Sequence, residues 1–141
     1  MLRLIGLLAM LSAAGVRADD AAFRVIVHRG NPLASITRAE LSAIYMKRTR
    51  SWSGGREIVP VDQPAGSPVR EQFSRAVHGK NVAYVTRYWQ RLIFSGRGIP
   101  PRQMQNDGAV LALVKNSRDA IGYIAGDARP GEEVKVLAVT P

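Results

Sequence analysis

The chain has 141 residues and no cysteine, and its 20 basic residues outnumber its 11 acidic ones. This length suits one domain with its own hydrophobic core, and the lack of cysteine excludes disulfides, thiolate nucleophiles and cysteine-ligated metals. The net charge of +9 favours anionic partners in general, but the basic residues are scattered except at residues 47–50, so no nucleic-acid interface is predicted.

The first 18 residues predict an export signal. They combine a positive start at Arg3, an apolar stretch over residues 4–16, and small residues before a cleavage site at Ala18. The apolar stretch is too short to span a bilayer, and no later stretch reaches the roughly 20 apolar residues that a spanning helix needs. We expect cleavage after Ala18, a single exported domain over residues 19–141, and no membrane span after processing. The alternative is an uncleaved membrane anchor.

A strand followed by a well-marked helix opens the predicted domain. Residues 23–28 read as a strand rich in β-branched and aromatic side chains. Thr37 and Glu40 then form a capping box, which is typical of a helix start. The apolar positions of this helix continue to about Met46, and residues 47–55 are a basic loop that ends in glycine.

The most informative stretch follows that loop. Residues 58–61 predict a short buried strand, and residues 63–66 contain proline and glycine that favour a turn. Ser67 is a suitable N-cap and Pro68 suits the first helical position. One apolar helix face is then predicted from Val69, Phe73, Ala76 and Val77. A helix start after a strand favours an anion, although many ordinary helices begin in the same way.

The rest of the chain alternates helices and strands. Gly79 is expected to end the second helix, a third helix is predicted over residues 82–94, and a fourth follows Asn106. Two late strands are predicted at residues 121–124 and 134–139. The inner face of the third helix is predicted to consist of Val85, Trp89, Leu92 and Ile93. Strands separated by helices predict an α/β fold with a parallel or mixed sheet.

Residues 41–52, the Gly66-Ser67 pair after the predicted strand, and residues 106–124 share one pattern in this order. Together they resemble the phosphate-specific periplasmic substrate-binding proteins of ABC transporters. Residues 41–52 are similar to their helix–loop–Trp element, and Gly66-Ser67 to their phosphate-binding Gly-Ser-Gly-Thr turn. Residues 106–124 resemble their late helix and the strand that ends in Ala-Ile-Gly-Tyr-Val. The resemblance implies a periplasmic α/β protein, a single lobe of a type 2 periplasmic-binding fold with a mixed sheet flanked by helices.

The chain departs from the family at the binding turn. Pro68 and Val69 stand where the family has glycine and threonine, so one backbone donor and one hydroxyl are lost. Gln63 stands near the position of the family's arginine. The chain is about half as long as such proteins, and nothing in it resembles their first lobe. We therefore expect a one-sided site in place of a closed phosphate cage.

The resemblance and the helix start together select a set of candidate ligands. Arg70, near the third helical position, opposes the helix dipole unless an anion binds beside it. The alternative is that Arg70 points into solvent while Glu71 compensates. Residues 47–50 either form a rim of the same site or are a solvated basic loop. The predicted anion ligands are Gln63, Gly66, Ser67, Val69 and Arg70.

The sequence does not indicate a metal-binding or catalytic site. His28 and His78 have no acidic or histidine neighbour at ligand spacing, so no metal or cofactor is predicted. No catalytic triad, paired carboxylates or Walker-type loop stands out, so we predict no enzyme. Asp62, Asp107 and Asp119 are interpreted as turn and capping residues.

The predicted function is that of an exported solute-binding-like protein that recognises a small oxyanion, phosphate first, at a helix N-terminus. The resemblance implies a membrane transporter or a sensor protein as the partner. The alternative is an envelope protein-interaction module of the same fold that has lost ligand binding.

Overall fold

The computed structural model describes residues 22–141. The predicted signal peptide, its cleavage site and the predicted N-terminus at Asp19 lie outside the described residues. Six strands form one mixed sheet that is flanked by helices, so the predicted α/β class is confirmed. Within residues 22–141, no helix has the length and the apolar character needed to cross a membrane.

The strands and helices follow the order predicted from the sequence, with two short strands added. The strands are β1 (Phe23–His28), β2 (Ser35–Thr37), β3 (Val59–Asp62), β4 (Arg102–Gln103), β5 (Ala120–Ala125) and β6 (Val134–Thr140). The helices are α1 (Arg38–Tyr45), α2 (Pro68–Phe73), α3 (Val82–Phe94) and α4 (Asp107–Asn116). A π-helical segment (Ser74–His78) continues α2. The sequence did not predict β2 and β4, because two or three residues are too few to show a periodicity.

The sheet order is β2-β6-β1-β5-β3-β4. β1 is antiparallel to both of its neighbours, whereas β2 pairs in parallel with β6, and β3 pairs in parallel with β5 and β4. Five strands therefore run in one direction, and their carboxyl ends share one edge of the sheet, which we call the carboxyl edge. The helices α1, α2 and α4 each begin shortly after a strand that ends at this edge.

Local sequence explains how these helices begin and end. Thr37 and Glu40 form the predicted capping box at α1, with both hydrogen bonds present. Ser67 caps α2, because its hydroxyl oxygen accepts a hydrogen bond from the Arg70 amide at 3.2 Å. Gly79, with φ of 65°, ends the continuation of α2 in the left-handed conformation that glycine adopts readily.

Apolar side chains pack on both faces of the sheet. The larger cluster joins the sheet to α1 and α2, and at its centre Phe73 stacks on Tyr123 with ring centroids 3.9 Å apart. The smaller cluster lies under α4 and contains Val110 and Val114. Gly122 of β5 lets α4 approach the sheet closely, since a Cβ there would lie 2.6 Å from a methyl carbon of Val110.

A third, smaller cluster joins α3 to the end of α1. Val85 and Trp89 of α3 are buried against Met46, with Leu92 partly buried beside them. The prediction that Ile93 is buried was wrong, because it is half-exposed. The packing partners of α3 extend only as far as Leu92, so the last residues of this helix lie beyond the core.

Candidate anion-binding site at the carboxyl edge

The five predicted anion ligands lie in one segment that joins β3 to α2 at the carboxyl edge. The chain leaves β3 at Asp62 and makes a turn in which the Ser67 amide donates to the Pro64 carbonyl at 2.9 Å. Gly66 is exposed in this turn, its φ is not in the left-handed region, and a Cβ there would meet nothing within 4 Å. The turn therefore does not use the conformational freedom of glycine at this position.

Arg70 is one of the most buried charged residues of the described chain, with 5% of its surface exposed. Its Nη1 donates to the Gln63 carbonyl oxygen at 2.9 Å, and its Nε lies 3.4 Å from an oxygen of Asp62. The alternative in which Arg70 points into solvent is therefore wrong. A buried carboxylate requires a cation or several donors nearby, and Arg70 folds back over the turn to meet Asp62.

Asp62 is at the centre of this buried network. Its carboxylate accepts hydrogen bonds from the Gln63 amide at 2.9 Å and from the phenol of Tyr123. Burial raises the pKa of Asp62, while the charge of Arg70 and the two hydrogen bonds lower it. Burial and the negative charge of Asp62 raise the pKa of Tyr123 in turn. Asp62 is thus more than the turn residue that the sequence predicted, because it holds Arg70 in place.

The side chain of Gln63 links three elements of the fold. Its amide nitrogen donates to the Asp107 carboxylate at 2.8 Å and to the Tyr123 carbonyl at 3.0 Å. Asp107 lies in the first turn of α4, where its negative charge suits the helix dipole. It also accepts weak hydrogen bonds from the Ala125 amide at 3.3 Å. The structure thus commits the amide of Gln63 to the fold and joins the end of β3 to the start of α4.

Fewer groups remain for a ligand than the sequence suggested. The side chain of Val69 is buried in the larger cluster, so only its backbone can contribute. Its N–H belongs to the first turn of α2, where amides have no partner within the helix. The oxygen of Ser67 accepts from Arg70, which leaves its hydroxyl proton to donate. The surface at Gly66–Val69 therefore offers a few neutral donors, while Asp62 offsets the charge of Arg70.

His78 connects this region to α1. Its Nδ1 lies 2.8 Å from the Ser42 hydroxyl oxygen. Burial, and then the positive charges of Arg70 and Arg48, lower the pKa of His78 to about 4. The imidazole is thus neutral at physiological pH and serves as a packed hydrogen-bonding group. Across residues 22–141, no group of three or more histidine or acidic side chains is placed to hold a metal ion.

Two other predicted features lie away from these ligands. Asp119 pairs with Arg56 through two hydrogen bonds of 2.8 Å, close to the amino end of β5. Lys47 and Arg50 line a cavity of about 570 Å³ that contains none of the five predicted ligands. The described structure therefore does not bring these two cations together with Ser67.

No family model and no curated protein matches the sequence. Solved structures do match over 84% of the chain. One is described as a phosphate ABC transporter substrate-binding protein with bound phosphate, from Clostridium perfringens (TM-score 0.66, 22% identity, 44% of that chain covered). Others are an ABC-type phosphate transport receptor from Vibrio cholerae (0.65, 19%, 46%) and a possible phosphate-binding protein from Planctomyces limnophilus (0.63, 19%, 41%).

These likenesses establish the fold alone, because the identities are low. The chain spans less than half the length of each of these proteins. The described structure thus has the fold of one lobe of a substrate-binding protein, as the sequence predicted.

Proposed function

We propose that this protein is an exported, non-enzymatic solute-binding-like protein that recognises a small oxyanion, phosphate first, at the start of α2. The observation that carries the proposal is the position of that helix start. It lies at the carboxyl edge, after a turn whose Gln63 contacts the start of α4, in a fold shared with proteins described as binding phosphate. Ligands of α/β proteins characteristically bind at this edge. The proposed ligand groups are Gly66, the Ser67 hydroxyl and the backbone N–H group of Val69, with Gln63 and Arg70 supporting the turn.

The geometry favours weak binding. Pro68 contributes no N–H, the charge of Arg70 is offset by Asp62, and the Asp107 carboxylate adds negative charge nearby. Each charge-assisted hydrogen bond that is missing costs roughly 1.5–3 kcal/mol of binding free energy. We therefore expect a dissociation constant for phosphate in about the micromolar-to-millimolar range.

A partner protein would complete such a one-sided site. The described lobe matches less than half of each solved structure named above, and this lobe alone would leave one side of the ligand in water. We propose that a membrane transporter of the ABC type, or a sensor protein, covers that side in the periplasm after residues 1–18 have been removed. N-terminal sequencing of the envelope protein should give Asp19, and a retained Met1 would contradict this processing.

The second candidate is an envelope protein-interaction module. It is favoured by the Arg70–Asp62 pair, because the cation nearest the helix start already has an anionic partner inside the fold. On this view the carboxyl edge contacts another protein and no free oxyanion.

Calorimetry with inorganic phosphate at low salt separates the two candidates. The sharpest variant is Ser67→Asp, since aspartate caps a helix as well as serine does but would place a negative charge where the oxyanion binds. We expect saturable heat with the parent protein and none with Ser67→Asp. The variant Ser53→Asp adds the same charge at an exposed position elsewhere and should bind like the parent. If the parent gives no saturable heat, the interaction module becomes the better account.

A further inference from the structure

The carboxyl end of α3 exposes large apolar side chains. Phe94 is 90% exposed, Ile99 in the following loop is 76% exposed, and Ile93 is 51% exposed. Gly96, between them, has a left-handed φ of 68° that reverses the chain at the end of the helix. We call Ile93, Phe94 and Ile99 the α3 tip. Phe94 follows Ile93 in the chain, and Ile93 and Ile99 line one cavity, so the three side chains form an exposed apolar group of the kind that marks an interaction surface.

Five cations line the two cavities that the α3 tip borders. One cavity, of about 570 Å³, is lined by Lys47, Arg50 and Arg97 together with Ile93 and Ile99. A second cavity, of about 480 Å³, is lined by Arg87 and Arg91 together with Phe94. We call these five cations the basic ring.

The basic ring is available to an external anion. Glu57 is the only acidic residue in the lining of either cavity. None of the five cations forms an ion pair with another residue in the range 22–141. The charge here is thus not neutralised within the described fold, in contrast to the charge of Arg70.

We propose that the α3 tip and the basic ring dock on an anionic lipid surface. Apolar side chains that enter the interface, combined with basic side chains around them, are the chemistry by which peripheral proteins bind such membranes. The shape favours lipid over a protein partner. Phe94 and Ile99 protrude from a helix end and a loop, and a bilayer accepts protruding groups without a matching pocket.

The docked orientation would leave the carboxyl edge free. Glu57 and Ile58 line the first cavity and immediately precede β3, whereas the proposed anion site follows the other end of that strand. The lipid contact is therefore independent of oxyanion binding, and it can hold whether or not phosphate binds.

Vesicle sedimentation of the full chain tests the proposal. We expect binding to vesicles that mix phosphatidylcholine with phosphatidylglycerol, and little binding to phosphatidylcholine alone. Phe94→Ser should weaken the binding about tenfold, because most of the gain from burying a phenyl ring is lost. The double variant Arg91→Gln/Arg97→Gln should weaken it about 25-fold, since each basic residue near such a surface contributes roughly a fivefold factor.

Matched controls separate this surface from the rest of the chain. Val136→Ser removes an exposed apolar side chain elsewhere, and Arg29→Gln/Arg129→Gln removes two exposed cations elsewhere. Both controls should bind within about twofold of the parent, because neither alters the tip. Residues 1–21 are the same in every variant, so the differences between variants report on the tip. Equal losses in the controls and in the tip variants would overturn the proposal.

A fluorescent probe at the tip gives a second readout. In Phe94→Trp, the added emission should shift to shorter wavelength on anionic vesicles, whereas that of Val136→Trp should not. If vesicles leave the Phe94→Trp emission unchanged, the lipid proposal is wrong. An acidic, leucine-containing peptide that shifts the emission where vesicles do not would assign this surface to a protein partner.

Discussion

The carboxyl edge and the α3 tip differ in how their charged side chains are placed. At the carboxyl edge Arg70 is buried and paired with Asp62, while at the α3 tip Arg97 and its neighbours are exposed and have no ionic partner in the described chain. Apolar groups show the same contrast, since Phe73 stacks in the core near Arg70 whereas Phe94 stands in solvent.

This contrast shows that the position of a charged residue in the sequence does not reveal whether its charge is available. The arginine nearest the predicted binding turn stabilises that turn from within. The scattered arginines that predicted nothing specific come together at the end of α3. Measurements of protein stability can contradict or refine this contrast, and the buried ion pair should give the strongest response.

The largest effect is expected from separating the buried ion pair. Arg70→Met should lower the free energy of unfolding by about 3–5 kcal/mol at neutral pH, because it leaves the buried Asp62 carboxylate without its cation. Urea unfolding measures this loss. Because the pKa of Asp62 is raised, ionisation of its carboxyl lowers the stability of the fold as pH rises through that pKa. The loss of stability caused by Arg70→Met should therefore be smaller in acid, where Asp62 is protonated.

The matched control for this change is the exposed ion pair on the same helical segment. Arg75 lies 2.8 Å from Glu71, closer than Arg70 lies to Asp62, yet its side chain is largely exposed. Arg75→Met should cost less than about 1 kcal/mol. Equal losses for the two variants would show that Arg70 and Asp62 are solvated, contrary to the structure.

The next largest effect is the contribution of His78 to the pH dependence of stability. Its pKa of about 4 lies below the usual 6.5, so the unfolded chain binds the proton more readily. The stability that the neutral imidazole contributes is complete above about pH 6.5 and is lost as pH falls toward 4. Between pH 7 and about pH 4.5 the parent should lose about 2–3 kcal/mol more than His78→Gln. Parallel pH curves for the two proteins would contradict the burial of His78.

A packing variant tests the sheet beneath the candidate site. Gly122→Ala should cost about 1–3 kcal/mol, because the new Cβ would lie 2.6 Å from a methyl carbon of Val110. Gly66→Ala is the control, since a Cβ there meets nothing within 4 Å. Thermal unfolding should show a clear loss for the first variant and almost none for the second. A marked loss for Gly66→Ala would mean that the binding turn needs its glycine after all.

The smallest expected changes in stability distinguish the start of α2 from the α3 tip. Ser67→Ala removes the N-cap of α2 and should cost about 1 kcal/mol. Phe94→Ser should change stability by less than about 0.5 kcal/mol, because its ring is almost fully exposed. Thermal melts of both variants give the comparison. A larger loss for Phe94→Ser would show that the tip packs against part of the chain.

The sequence predicted those parts of the structure that depend on neighbouring residues. The start of α1 at Thr37 and the start of α2 at Ser67 follow from capping residues, and the end of α3 at Phe94 precedes a glycine-rich loop. The sheet class followed from strands that alternate with helices, and the predicted lobe fold was confirmed in the same order.

The charge network could not be predicted in this way, because it joins residues far apart in the chain. Tyr123 reaches Asp62 across β5 and β3, and Gln63 reaches Asp107 at the start of α4. The sequence did contain one signal for the pair of Asp62 and Arg70: an acidic residue directly after a predicted strand, with an arginine eight residues later. Which of the exposed cations meet at the α3 tip depends equally on tertiary packing.

The proposed function depends above all on whether a small oxyanion binds weakly at the start of α2, although the unpaired cations lie elsewhere. An amide NMR titration with inorganic phosphate is the strictest test, since it reports every backbone N–H separately. The amides of Gly66, Ser67, Val69 and Arg70 should shift together and saturate in about the micromolar-to-millimolar range. Saturable shifts confined to residues 91–99 and 47–50, or no saturable shift at all, would contradict the proposal.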